Sequence, residues 1–143
     1  MSTTSTWIEH LVNPKTITSI YTTEPPSLAQ VHLSEVSIVC GSDLQCRLHF
    51  DLKDFPADAP IKWVQRKCNT VQLSLNLIQI ELTQCTIPSG SGIGDLIIIH
   101  DGTRFHITFT TQPQGVVFQA TATWIHVDNI SGYQKEQVSL SAQ

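Results

Sequence analysis

Three carboxylates are the residues of this chain best placed to do chemistry, because they stand close together in one stretch. Asp51, Asp54 and Asp58 share that stretch with Lys53, several further cations and two prolines. Two carboxyl groups that face each other across a cleft can hydrolyse a glycosidic bond as an acid and a base. A loop of mixed charge that is braced by prolines is more typical of a solvated connection, and such short patterns often mislead. We therefore predict no enzyme, no catalytic residue and no bound cofactor.

The histidines and cysteines offer little support for a metal site. No two histidines have the i, i+4 spacing of a helical zinc site, and no Cys-x-x-Cys pair occurs. His100 and His106 flank the dipeptide Asp101-Gly102 and could meet across a hairpin. A zinc site also needs a third ligand and groups that orient the ligands, and the sequence supplies neither. No metal site is predicted.

Trp63 stands between the proline-braced stretch and the next apolar alternation. It either caps the core or projects from the surface as the anchor of an interface. Large aromatic side chains in small domains are mostly buried, which favours core capping.

Length and composition favour a single β-rich domain over residues 1–143, with residues 1–6 and 135–143 expected to be flexible. Charged residues make up only 14% of the chain, and threonine, valine and isoleucine are abundant, which favours pleated sheet. The formal net charge is −4, and the eight lysines and arginines are scattered. That distribution argues against a nucleic-acid partner, since phosphate binding depends on clustered cations.

The chain shows neither a secretion signal nor a membrane span. Its first ten residues lack a basic region followed by an apolar core, and no stretch reaches the roughly 18 apolar residues of a transmembrane helix. We therefore expect a cytoplasmic protein without a membrane partner, and its four cysteines are expected to be reduced.

One or two short helices are predicted near the N-terminus. Apolar residues in positions 7–12 recur at helical spacing, and Asn13-Pro14 is typical of an N-cap followed by a proline at the first helical position. The helix is expected to end before Pro25-Pro26, because a proline disfavours the helical conformation of the residue before it.

The remainder predicts strands, since apolar and polar residues alternate from Val31 onward. The alternation changes phase near Ser34-Glu35, which indicates a bulge, and again after Leu77, which indicates a bend or two strands. The pattern predicts a mostly β (α+β) fold. Its antiparallel sheet has seven or eight strands and is curled into a sandwich or an open barrel, with the helices on one face or end. Edge strands of such a sheet can pair between chains, so a homodimer is left open.

Several segments together resemble the immunity protein 50 family of bacterial polymorphic toxin systems. The resemblance runs from about Trp7 to Gln134. It is carried by Asn13-Pro14, Pro25-Pro26, Val31-His-Leu, Phe50-Asp-Leu, Phe55-Pro, Pro60-Ile-Lys-Trp63, Asn69-Thr-Val-Gln-Leu73 and Ile130-Ser-Gly-Tyr133. It implies a small, mostly β protein that binds and neutralises a cognate toxin in the producing cell. It implies no catalytic motif.

A protein with that role needs a surface that associates quickly and dissociates slowly. An acidic face that attracts a basic toxin, with an aromatic anchor at its centre, meets both needs. The candidate partner-binding residues are Glu24, Glu35, Asp51, Asp54, Asp58 and Trp63. The alternative is a β barrel that binds a small ligand without catalysis, with Trp7, Trp63 and Trp124 as stacking platforms.

Overall fold

The computed structural model describes residues 7–87, 92–112 and 114–135 and shows two short helices and six strands. In chain order the elements are α1 (Lys15–Thr18), β1 (Val31–Cys40), β2 (Leu44–Asp51), α2 (Ile61–Gln65), β3 (Thr70–Cys85), β4 (Ile93–His100), β5 (Phe105–Thr111) and β6 (Gly115–Tyr133). The mostly β prediction is confirmed. The second helix is not N-terminal as predicted but lies between β2 and β3.

The strands close into an antiparallel barrel in the order β1-β2-β3-β6-β5-β4. Closure depends on a short ladder between β1 and β4, in which Val31 pairs with Gly94 and His32 with Ile93. The bulge predicted in β1 is present, because the register with β2 shifts between Leu33 and Glu35. The closed barrel replaces the open barrel or sandwich that the sequence predicted.

The sequence predicted seven or eight strands, and the described residues form six. For the phase change after Leu77 the sequence left a bend or two strands open, and the structure shows one strand, β3, that continues through it. Leu77 and Ile80 are both buried, although they are three positions apart. Between them Gln79 adopts a positive φ of 56°. Hydrogen bonding with β6 continues on both sides, since Leu77 pairs with Ile125 and Ile80 with Ala122. One residue with an irregular backbone conformation therefore changes the face of β3 on which the following side chains lie, without ending the strand.

Side chains from all six strands fill the interior of the barrel. They reach the interior because successive side chains of a strand point to opposite faces. β5 shows this most plainly, since its buried and less buried residues alternate with a period of two. The largest fully buried side chains of the described chain include Phe50, Phe105, Phe109 and Phe118. This packing gives no support to the ligand-binding alternative. Trp7, Trp63 and Trp124 line neither of the two surface hollows described below.

The N-terminal segment covers the part of β6 that β5 leaves unpaired. The N–H of Val12 donates to the carbonyl of Ile125 at 3.0 Å. Asn13 bonds both backbone groups of Val127: its Oδ1 accepts from the N–H at 2.8 Å and its Nδ2 donates to the carbonyl at 3.0 Å. The predicted N-cap role of Asn13 is wrong, because α1 begins without a side-chain cap and Asn13 points to β6 instead. Its bonds fix the path of the chain into α1.

The ends expected to be flexible, residues 1–6 and 135–143, lie outside the described residues except for Lys135. Its N–H donates to Oδ1 of Asn69 at 2.8 Å, and its carbonyl accepts from Nδ2 of Asn69 at 3.0 Å. The composition of Pro88-Ser-Gly-Ser-Gly-Ile-Gly94 predicts a linker or hairpin loop, and residues 88–91 of it also lie outside the described part. In that described part, neither helix has the length and apolar character that crossing a bilayer requires.

Candidate functional site

Two loops enclose a groove of about 420 Å³ beside the end of β2. Residues 20–27 form one wall and lead from α1 to β1, while residues 54–58 form the other and lead from β2 to α2. We call it the acidic groove. Its apolar lining is supplied by Ile20, Tyr21, Pro25, Pro26, Phe55 and Pro56, and its carboxylates by Glu24, Asp54 and Asp58.

Tyr21 ties the two walls of the acidic groove together. Its hydroxyl donates to the backbone carbonyl of Asp54 at 2.7 Å. The residue is buried, and burial followed by the nearby charge of Asp54 raises the pKa of the phenol well above its usual range. The phenol therefore stays protonated and keeps donating. Prolines on both walls limit the backbone further, so the groove is preformed.

The carboxylates of the acidic groove have no partner within the described chain. Most other described acids are engaged, as Asp128 is with Arg47 at 3.1 Å. Among the described residues, four acids make no ion pair and no side-chain hydrogen bond: Glu24, Asp43, Asp54 and Asp58. Three of these four line the acidic groove, and all three are exposed. The groove therefore concentrates negative charge that the protein itself does not neutralise.

Asp43, the fourth of these acids, lies in a hollow of about 530 Å³ near the other end of β2. The other charges of that hollow are paired, since Arg104 Nη1 lies 3.6 Å from Glu81 Oε1. This hollow therefore lacks the concentrated unpaired charge of the acidic groove.

Trp63 lies behind one wall of the acidic groove. Its ring is tilted against that of Phe55, with centroids 6.1 Å apart, and the indole also packs on Gly132 in β6. The side chain is half-buried, as core capping requires. Trp63 therefore holds α2 and the groove wall on the barrel.

The same helix carries two exposed apolar side chains that sequence reasoning missed. Ile61 is 73% exposed and Val64 is 63% exposed, although both are large and apolar. They are three positions apart and so share one face of α2, away from Trp63. The run Ile61-Lys-Trp-Val64 already holds this signal, since one short helix cannot bury all three apolar residues.

Asp51 does not join the other candidate acids. Its side chain is only 8% exposed, and Oδ2 accepts hydrogen bonds from the Tyr133 hydroxyl at 2.6 Å and from Lys135 Nζ at 3.1 Å. His32 Nδ1 lies 3.9 Å from the same oxygen. The carboxylate links the end of β2 to the end of β6, which is a role in the fold.

Glu35 lies apart from the acidic groove, on β1 at the bulge. Its carboxylate accepts a hydrogen bond from the hydroxyl of Ser37 and lies 4.0 Å from His49 Nε2. The structure therefore brings Glu24, Asp54 and Asp58 together and leaves Glu35 and Asp51 elsewhere.

The histidine pair at the predicted hairpin does not form a metal site. His100 pairs with Phe105 and Ile99 with His106, which puts the two histidines on opposite faces of the ladder. His106 contacts Asp101 at 2.7 Å, and His100 stacks on His10 with ring centroids 4.0 Å apart. Within the described ranges, no three histidine, cysteine or acidic residues are grouped to hold a metal ion.

The acidic groove is suited to binding rather than to acid–base chemistry. A carboxyl that acts as a general acid at neutral pH is sheltered from solvent, whereas Glu24, Asp54 and Asp58 are exposed. An apolar floor with carboxylates at its edge matches lysine and arginine. Their methylene stems pack on apolar surface while the charged heads bond carboxylates.

The fold and this site together define a small, mostly β barrel with an acidic binding groove on its surface. The chain belongs to the Immunity protein 50 family, whose model matches residues 13–133. The match confirms the resemblance found in the sequence, and membership of this family indicates an immunity protein. No curated protein and no solved structure matches the chain significantly.

Proposed function

We propose that this protein binds a cognate bacterial toxin in the cytoplasm of the producing cell and neutralises it by protein–protein contact, without catalysis. The observation that carries the proposal is the acidic groove, in which three of the four unpaired carboxylates of the described chain meet over an apolar floor. Membership of the Immunity protein 50 family supports the same role.

The toxin surface that complements the acidic groove is basic. A lysine or arginine of the toxin would lay its stem along Phe55 and Pro26 and present its cation to Glu24, Asp54 and Asp58. The free carboxylates need not break an internal ion pair before they bind. The groove therefore offers charge at little reorganisation cost.

Electrostatic attraction also sets how fast the two proteins meet. Complementary charge accelerates association well above the rate for neutral surfaces, and salt screens that gain. An immunity protein has to capture its toxin before the toxin damages the cell, so a fast association step fits the role. Asp51 and Glu35 already bond neighbouring residues, and we therefore centre the proposed interface on the acidic groove.

The test is co-expression with the protein encoded by the reading frame adjacent to this one. The expected result is that the chain protects growth and co-purifies with that protein as a stable complex. The triple variant Glu24→Gln, Asp54→Asn, Asp58→Asn keeps side-chain shape and removes three charges. It is expected to lower the association rate constant roughly tenfold or more at low salt and to flatten its dependence on salt.

Asp43→Asn is the matched control, since Asp43 is also unpaired but lies outside the acidic groove. It is expected to leave the association rate close to that of the unmodified chain. If the unmodified chain neither binds nor protects, the proposed function is rejected. If it protects but the triple variant and the control behave alike, the toxin binds another surface.

A further inference from the structure

The exposed apolar pair on α2 gives the proposed interface a second part. We infer that Ile61 and Val64 form an apolar knob that inserts into an apolar depression of the toxin, edged by the lysines or arginines that enter the acidic groove. This inference rests on the proposed function and assigns a different kinetic role to each part of the interface. The acidic groove governs association, and the knob governs dissociation.

The first support is exposure. Ile61 and Val64 are the two most exposed large apolar side chains of the described residues, at 73% and 63%. Single exposed apolar residues are common on protein surfaces. Two on one face of the same five-residue helix form a contiguous projection, and such a projection is suited to a pocket on a partner.

The second support is that the knob is held rigidly. Trp63 anchors the helix from behind through its contacts with Gly132 and Phe55. The carbonyl of Trp63 accepts a hydrogen bond from the N–H of Cys68 at 2.9 Å, which fixes the chain after the helix. Side chains presented by a fixed backbone lose less freedom on binding, which favours a slow dissociation.

The third support is continuity with the acidic groove. Phe55 lines the groove and also packs on Trp63, so the groove wall and α2 are in direct contact. Asp58 is followed after one residue by Pro60, which immediately precedes α2. Asp58 and Ile61 are three residues apart, so their Cα atoms lie within about 11 Å of each other, and an interface of standard size around the groove spans both.

The test uses the full chain and the protein encoded by the adjacent reading frame. The association and dissociation rate constants of their complex are measured with one partner immobilised on a biosensor surface. The double variant Ile61→Gln, Val64→Gln keeps helix propensity and removes the apolar knob. We expect its dissociation rate to rise roughly 10- to 30-fold with little change in association, as for an interface hot spot. The triple charge variant should show the reverse pattern.

Ile99→Thr on β4 is the matched control, because Ile99 is 59% exposed and is not a residue of α2 or of the acidic groove. It is expected to change neither rate constant, and thermal unfolding should verify that every variant folds. An unchanged dissociation rate in the Ile61→Gln, Val64→Gln variant, with a complex still formed, overturns the inference and leaves the proposed function standing. So does a homodimer of the free chain that this variant converts to monomer, since the knob would then contact a second copy. No complex with the unmodified chain rejects the proposed function, and this inference with it.

Discussion

The indole of Trp63 lies directly on the backbone of Gly132. A methyl group on Gly132 would come within 2.6 Å of Cδ2 of Trp63, closer than such carbon atoms approach in proteins. This contact joins α2 to β6 across the outside of the barrel. It also explains why glycine occupies this strand position, since any side chain here would push the indole away.

Gly132→Ala is expected to destabilise the protein by about 1–3 kcal/mol, because the new methyl group overpacks the contact with Trp63. Urea denaturation measures the change. Gly41→Ala is the control, since the nearest atom to a methyl group there is 3.9 Å away, and we expect it to be nearly neutral. If the two variants are equally stable, Trp63 is not held against Gly132 in solution. Displacement of α2 in Gly132→Ala should also speed dissociation of the toxin complex.

Tyr133→Phe is expected to lower the free energy of unfolding by about 1.5 kcal/mol, because it removes a hydrogen bond to the charged carboxylate of Asp51. Combining it with Asp51→Asn in a double-mutant cycle should reveal a coupling of about 1 kcal/mol. Neither variant is expected to change the association rate with the toxin, since Asp51 is buried. Additive effects in the cycle would show that the two side chains do not interact.

The contact between Tyr133 and Asp51 also predicts a loss of stability at alkaline pH. Burial, followed by the hydrogen bond and charge of Asp51, raises the pKa of Tyr133 from 10.0 to about 12. Between these values the folded protein keeps a proton that the unfolded chain releases, so this contribution is complete below pH 10 and is lost as pH rises through 12. Urea midpoints at pH 9 and pH 11 should therefore differ more for the unmodified chain than for Tyr133→Phe. Equal differences would contradict the shift.

Much of the fold could be predicted from the sequence, because the period of two directly reports which side chains face the core. The bulge near Ser34 follows from that period. The strand count and the barrel closure do not. Gln79 changes the phase within one strand, and the ladder between Val31 and Gly94 joins distant residues without a local signal.

The candidate site was only partly predictable for a similar reason. Asp54 and Asp58 are only four residues apart in sequence. Whether Glu24 lines the same groove depends on the path of the N-terminal segment over the barrel. Asp51 belongs to the same run of acids and yet is the last residue of β2, where it turns inward to Tyr133. Sequence proximity therefore could not separate the binding acids from the structural one.

The four cysteines should differ sharply in reactivity. Cys46 is fully buried, and burial followed by the nearby Cys85 raises the pKa of its thiol to about 12. Cys40 and Cys85 are exposed, and all four are free thiols. Brief alkylation of the native protein at neutral pH, followed by mass spectrometry, should modify Cys40 and Cys85 and leave Cys46 intact until urea is added. Early modification of Cys46 would show that the barrel opens readily.

Asn13→Ala is expected to cost about 1–3 kcal/mol, because it leaves the N–H and the carbonyl of Val127 without their partners at the part of β6 beyond β5. Asn13→Asp keeps the acceptor for the Val127 N–H but sets a second carboxylate oxygen against the Val127 carbonyl, so we expect a loss at least as large. Asn129→Ala, at an exposed position of the same strand, is the control and should be nearly neutral. Urea denaturation ranks the three variants, and hydrogen exchange at the Val127 amide should accelerate only in Asn13→Ala. Slow exchange at that amide in Asn13→Ala would mean that another group has replaced Asn13 on β6.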